Sequence, residues 1–294
     1  MKRAVIPAAG LGTRLFPASQ AVKKELFPVV GPDGIARALV HYHVSDLLAA
    51  GFEEIALIIQ PSEEEAFRRY FRAPPTDYLR RLEKQPALHA EALALGRAGE
   101  RLRYVLQREQ EGYGHAVYQA RDFARGEPFL LLLGDHLFRG AGGGSCARAL
   151  AEVFDRAGGR SVSAVNRITE EQLCGYGTIA GQRTAADPRV IEVTDIVEKP
   201  SPEVARERLR VDGLGDGEFL GWFGMHALAP SIFDVLAQMI RDGVRDGGEF
   251  QLTRAQEIQC RREGYRAWET IQERRFDFGT TADFLASLAA FARP

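Results

Sequence analysis

Apolar positions along the chain recur with two different periods. Short apolar runs fall at Ala4-Val5-Ile6, Glu54-Ile-Ala-Leu-Ile-Ile59, Leu102-Arg-Tyr-Val-Leu-Gln107, Glu127-Pro-Phe-Leu-Leu-Leu-Leu-Gly134 and Val190-Ile-Glu-Val-Thr-Asp-Ile-Val197. They are too short for helices and predict buried strands, the one before Gly134 a central strand. Ser161–Asn166 and Glu218–Met225 read as further strands. Between these runs the spacing becomes helical. Leu39, Val40, Val44, Leu47 and Leu48 share one face of a segment from Ala38 to Ala50 that Gly51 stops, and Ser62-Glu63-Glu64-Glu65 predicts a helix start with Ser62 as N-cap. Helices are also expected from Cys146 to Arg156 and from Thr281 onward. Strand-helix-strand alternation predicts an α/β fold around a parallel sheet. A polar, Ala/Leu-rich stretch broken by Pro86 and Gly96 predicts a helical insertion over about 76–101.

Composition narrows the partners. The 294 residues suffice for one large α/β domain or for one domain with an appended lobe, and Lys plus Arg nearly balance Asp plus Glu for a net formal charge of -2. Such a surface is not that of a nucleic-acid or membrane binder, so cationic groups are expected to be local and to serve a small anionic ligand. Cys146, Cys174 and Cys260 are odd in number and have no metal-ligand spacing, which predicts a reducing compartment. Gly10, Gly12 and Arg14 interrupt the N-terminal apolar run before it could form a signal-peptide core, and no segment approaches the roughly 20 apolar residues of a membrane span. The expected location is the cytoplasm.

The chemistry concentrates at the start of the chain. The first strand runs into Pro7-Ala8-Ala9-Gly10-Leu11-Gly12-Thr13-Arg14, a turn whose two glycines can take positive φ and bring backbone N–H groups close to an anion. Arg14 and, farther on, Lys24 add positive charge. Position 15 is Leu where a dinucleotide fingerprint needs a third glycine, and no Gly-Lys-Ser/Thr follows, so neither common phosphate loop applies. Asp135 ends the most apolar strand, at the edge where open α/β sheets bind ligands, and suits a hard cation such as Mg2+. Gln107 carries a donor and an acceptor that match a pyrimidine edge, and Gly112 opens a helix. His115, without a partner nucleophile or acid beside it, reads as a packing residue. Glu198 and Lys199 precede Pro200. Neighbours on a strand point to opposite faces, so both reach one ligand only if Pro200 distorts the strand end.

Gly10-Leu-Gly-Thr-Arg14, Phe16-Pro17 and Lys24-Glu-Leu-Phe-Pro28, followed in order by Glu198-Lys-Pro200, Glu249-Phe-Gln-Leu-Thr253 and Phe276-Asp-Phe-Gly-Thr280, resemble the sugar-1-phosphate nucleotidylyltransferases. The helical insertion is similar to that of the family's bacterial UTP:glucose-1-phosphate uridylyltransferases. The resemblance spans residues 3 to about 290. It implies a three-layer, doubly wound, Rossmann-like nucleotidyltransferase domain with a mixed sheet over 1–294, with a nucleotide half of about 1–140 and a sugar half of about 141–294.

It also implies an enzyme that joins UTP and glucose 1-phosphate into UDP-glucose and pyrophosphate, with Mg2+ as cofactor. The alternatives are a thymidylyltransferase or another sugar-1-phosphate nucleotidylyltransferase, and a non-catalytic nucleotide-sugar sensor. By the same resemblance, Ala8, Ala9, Gly10, Leu11, Gly12, Thr13, Arg14, Gln107 and Gly112 bind the nucleotide, while Arg14, Lys24 and Lys199 are catalytic. Lys24, Gly177, Glu198, Lys199, Gly221 and Glu249 bind the sugar phosphate, and Asp135 and Asp277 bind the metal. Lys23 stands where the family usually has proline, so either Lys23 or Lys24 could reach the phosphates, Lys24 being the choice because it precedes Glu25. The implied partners are an NTP and a sugar 1-phosphate, with no nucleic acid or membrane, and the implied assembly is a homo-oligomer.

Overall fold

The computed structural model describes residues 1–293. The chain forms two compact units and passes between them more than once. One comprises Lys2–Arg108, Gly134–Leu137 and the segment from Phe276 onward; the other comprises Met1, Glu109–Leu133 and Phe138–Arg275.

In the first unit, strands Arg3–Pro7, Glu54–Ile59 and Leu102–Leu106 pair in parallel, with Ala4 opposite Ile55 and Ile55 opposite Leu102. Ile55 through Ile59 are wholly buried, as expected of a parallel strand covered on both faces. The helix Leu39–Ala49 turns Leu39, Val40, Val44 and Leu47 inward. It closes through Gly51 at φ 97, with the Phe52 N–H donating to the Leu47 carbonyl, a left-handed stop that glycine adopts without steric cost. The last helix, Thr281–Phe291, is capped by the Thr280 hydroxyl, which accepts from the Asp283 N–H. Phe291 joins Val29, Leu39, Leu137, Phe276 and Phe278 in one apolar cluster. Burying a phenylalanine of this kind contributes about 2 kcal/mol, so the cluster fixes the chain on both sides of Asp277 and just after Asp135.

Two expectations in this unit need correction. Ser62 does not cap a helix: a 3-10 turn starts at Pro61, Ser62 lies inside it, and the α-helix runs over Glu64–Tyr70. Proline, with φ preset, starts the turn one residue before the serine. Gly96 does not break the insertion, which forms helices Thr76–Leu82 and Pro86–Glu100. A Cβ on Gly99 would lie 2.3 Å from the Phe71 carbonyl oxygen, and one on Gly96 would lie 3.0 Å from the Ala73 Cβ. These glycines let the longer helix press against residues 71–73.

The second unit is built on six strands in the order Phe129–Leu132, Glu218–Leu228, Val162–Thr169, Arg266–Glu269, Val190–Val197 and Thr178–Arg183. The pairings are antiparallel except between Arg266–Glu269 and Val162–Thr169, so the sheet is mixed. The helices Cys146–Arg156 and Ile232–Asp242 each bury an apolar stripe, whereas Leu252–Glu263 buries Thr253, Gln256 and Gln259 beside Leu252 and Ala255. Inside this core His226 Nδ1 lies 2.6 Å from Ser163 Oγ and 3.0 Å from Gln256 Nε2, while the Tyr265 hydroxyl contacts both Ser163 and Gln256. Burial pushes the His226 imidazole down to about 3, so the ring is held neutral.

Candidate active site

The first strand delivers its turn with both expected glycines, but they differ. Gly12 is left-handed at φ 69 and caps a short 3-10 turn, Thr13–Leu15. Gly10 is not left-handed, and a Cβ built on it would meet no heavy atom of the chain within 4 Å. The turn is held by two side chains: Gln60 Nε2 donates to the Ala9 carbonyl at 2.7 Å and Lys23 Nζ donates to the Gly10 carbonyl at 2.5 Å. Leu15 anchors its far end in the core, whereas Leu11 and Phe16 are exposed.

A second 3-10 turn, Lys24–Leu26, directs the Lys24 ammonium onto Asp135 Oδ2 at 2.6 Å. The two lysines therefore do different things: Lys24 meets the carboxylate, and Lys23 meets the backbone of the glycine turn. Burial disfavours the Lys24 charge, but Asp135 and Glu25 outweigh it and raise its pKa. Burial pushes Glu25 up to about 7, with repulsion from Asp135 adding to the shift and Lys24 and Lys23 opposing it. Arg14 is mostly exposed, with Nη2 3.9 Å from the same Asp135 oxygen.

Asp135 follows Gly134, whose missing Cβ would fall 2.5 Å from the Pro7 carbonyl oxygen; only glycine lets the chain pass the end of the first strand so closely. Burial works against the Asp135 charge, yet the His136 ring, Lys24 and Arg14 outweigh it and hold the carboxyl well below the usual carboxylate range. Asp277 arrives from the other end of the sequence, and the Phe278 N–H donates to the Asp135 carbonyl at 2.9 Å. Burial also opposes its charge, but His136 Nε2, 3.0 Å from Asp277 Oδ2, and the Gly279 N–H, 2.7 Å from Oδ1, lower its pKa. A Cβ on Gly279 would lie 3.0 Å from Asp135 Oδ2, 3.0 Å from Asp277 Oδ1 and 3.1 Å from Arg14 Nη2. Two ionised carboxylates and a guanidinium thus converge on a point that any larger residue would fill.

No group of three or more His, Cys, Asp or Glu side chains with metal-binding geometry occurs among the described residues. The Asp135–Asp277 pair suits an ion that takes one or two protein carboxylates and completes its shell with water and phosphate oxygens, as magnesium does. Gln107 is buried at the end of the strand Leu102–Leu106, its N–H donating to the Ile59 carbonyl.

The remaining expected residues lie in the second unit. Gly112, at φ 110, precedes the helix Tyr113–Gln119, and its missing Cβ would meet the Glu249 Cβ at 2.7 Å. Glu249 Oε2 accepts from Gln251 Nε2 at 3.0 Å. Gly177 lies under the Trp222 indole: a Cβ there would be 2.5 Å from Trp222 Nε1 and 2.9 Å from Glu198 Oε2. Strand Val190–Val197 ends just before Glu198, and Lys199 takes φ 44, a left-handed value that lysine rarely adopts. This is the distortion the adjacent Glu198-Lys199 pair requires; the Lys199 N–H donates to the Tyr176 carbonyl at 3.2 Å and its ammonium lies 3.6 Å from Glu198 Oε1. Both residues line a cavity of about 530 Å3 together with Gln251, Thr253, Arg254 and Asp246. Gly221 instead packs on its own chain, a Cβ there falling 2.8 Å from Ile168 Cδ1 and 3.1 Å from the Tyr176 Cβ. His115 sits on the helix Tyr113–Gln119, its ring 6.4 Å from that of Phe250.

His136, Gln60 and Trp222 were not foreseen. His136 had a signal in its position beside Asp135, but the other two are identified only by what they touch.

A model of the nucleotidyl transferase family matches residues 3–289. The chain belongs to the nucleotidyl transferase family. Among relatives of this family member, UTP--glucose-1-phosphate uridylyltransferase 2 of Staphylococcus saprophyticus is 32% identical over 292 residues, covering 99% of this chain and 92% of the relative. UTP--glucose-1-phosphate uridylyltransferase YngB of Bacillus subtilis is 33% identical over 280 residues, covering 95% and 85%. The crystal structure of a UDP-glucose pyrophosphorylase complexed with UDP-glucose superposes with a TM-score of 0.79 at 25% identity, covering 99% of this chain and 98% of that one. The mixed α/β architecture is thus that of the nucleotidyl transferases.

Proposed function

We propose that this nucleotidyl transferase catalyses the transfer of a uridylyl group from UTP to glucose 1-phosphate, giving UDP-glucose and pyrophosphate. The names of its relatives support the substrates. The observation that carries the chemistry is the convergence of Arg14, Asp135 and Asp277 at the Gly279 position, with Lys24 on Asp135. In the reaction a phosphate oxygen of the sugar phosphate bonds to the α-phosphorus, the bond from that phosphorus to the oxygen of the β-phosphate breaks, and the leaving pyrophosphate carries that oxygen away. No protein nucleophile is required. The protein must align two anions and neutralise the charge that builds on them.

Lys24, kept an ammonium by Asp135 and Glu25, is assigned to the α-phosphate and the sugar phosphate, and Arg14 to the departing pyrophosphate. The open surroundings of Gly10 suit close approach of a triphosphate to the backbone of Ala8 through Thr13. Gln107 and Gly112 are assigned to the uracil. Glu198 accepts hydrogen bonds from sugar hydroxyls, Lys199 holds the sugar phosphate, and Gly177 and Glu249 complete the sugar side. Asp135 and Asp277 would hold a magnesium ion, which when bound supplies further neutralisation of phosphate charge. The reverse reaction tests the proposal: UDP-glucose with pyrophosphate should yield UTP and glucose 1-phosphate. Failure to form UTP from that pair, in a folded protein supplied with magnesium, would contradict it.

A further inference from the structure

Lys23 is an unusual residue to find beneath an anion-binding turn. It is 6% exposed, and burial lowers its pKa, with Glu25 and Glu63 supporting the ammonium and Lys24 opposing it. Its contact is the Gly10 carbonyl, next along the chain from the Ala9 carbonyl held by Gln60. A trans peptide is planar, with its C=O and N–H pointing in opposite directions. A donor that holds the Ala9 carbonyl therefore turns the Gly10 N–H the other way, and one that holds the Gly10 carbonyl does the same to the Leu11 N–H. Two consecutive N–H groups presented on one side of a turn make a concavity that suits an anion. Between Gly10 and the left-handed Gly12 no regular element fixes these peptide planes, so the two side chains do so.

We infer that Lys23 is a positioning residue, acting with Gln60 to orient the Gly10 and Leu11 N–H groups toward the triphosphate of the nucleotide. The inference rests on the proposed reading of this turn as the triphosphate site. It separates the neighbouring lysines: Lys24 acts on phosphate directly, and Lys23 acts through the backbone.

The test is steady-state pyrophosphate release by wild type, Lys23→Met, Gln60→Leu and the double variant, each substrate varied in turn, with melting curves for all four. Methionine keeps the buried stem and removes the donor. The expected result is a rise of about tenfold in KM for UTP in Lys23→Met, the size of one charge-assisted hydrogen bond. KM for glucose 1-phosphate should be unchanged. Gln60→Leu should show the same pattern more weakly, and the double variant should fall short of the product of the two, because both act on one turn. An unchanged KM for UTP in a folded Lys23→Met, or equal rises in both KM values, would overturn the inference. Should Lys23→Met fail to fold, Gln60→Leu carries the same test, and an unchanged KM for UTP there overturns the shared clamp. Wild-type activity with UTP is read separately, so failure of the substrate assignment is distinguishable from failure of the clamp.

Discussion

The region around Asp135 in the first unit and the region around Gly177 in the second, which we assign to phosphate and to sugar, are built with different chemistry. Beside Asp135 the structure relies on charge: Lys24 lies at 2.6 Å and Arg14 at 3.9 Å, while His136 meets Asp277. Around Gly177 the structure relies on shape. An indole covers a glycine, Glu198 stands beside it, and a strained Lys199 turns the chain. A triphosphate is bound through charge and tolerates some imprecision in distance, whereas hydroxyls are distinguished by where acceptors and walls lie. Damage to the carboxylates and Lys24 should therefore appear mainly in turnover and metal dependence, and damage around Gly177 in KM for the sugar.

The largest effect is expected for Lys24→Ala. Removing one preorganised cation should lower kcat for pyrophosphate release by about 10²–10³, and near-normal turnover would remove Lys24 from the chemistry. Next is Asp277→Asn. It keeps the shape and removes the charge, so the magnesium concentration for half-maximal rate should rise by about 10–100-fold, as a metal titration would show. A smaller effect is expected for Gly177→Ala. Its Cβ would collide with Trp222 and crowd Glu198, raising KM for glucose 1-phosphate about tenfold with KM for UTP unchanged. An equal rise in both would erase the contrast between the regions.

A last effect is expected on stability, at acid pH only. His226 has a folded pKa of about 3, below its ordinary 6.5, because burial disfavours its charged form. Its contribution to stability is fully present above pH 6.5 and is lost as pH falls toward 3, at up to about 1.4 kcal/mol per pH unit. Denaturant unfolding at several pH values should show this slope in the wild type and a shallower one in His226→Gln.

Much of this molecule is legible in its sequence because local chemistry and tertiary need coincide. Ile55 to Ile59 reads as a buried strand because a strand covered on both faces needs no polar alternation, and Gly51 reads as a helix stop because a left-handed residue is needed there. The turn at Gly10–Arg14 is legible from residue types alone. The use of Lys23 is not: two adjacent lysines are equivalent on paper, and only the 3-10 turn at Lys24–Leu26 sends one to Asp135 and the other to Gly10. Gln60 is hidden for a related reason, since its partner Ala9 lies on a neighbouring strand's turn. Ser62 misleads because Pro61 starts the turn first. Gly96 misleads because a glycine that breaks a helix and one that lets a helix approach a neighbour look alike until the neighbour is known.

The most direct test of the central claim is the initial rate of pyrophosphate release from UTP, dTTP, ATP, CTP and GTP, each crossed with glucose 1-phosphate and its common relatives, with and without magnesium. The account predicts magnesium-dependent release that is fastest with UTP and glucose 1-phosphate and absent when the sugar phosphate is omitted. Release from UTP without a sugar phosphate, or no release from any pair, would contradict it.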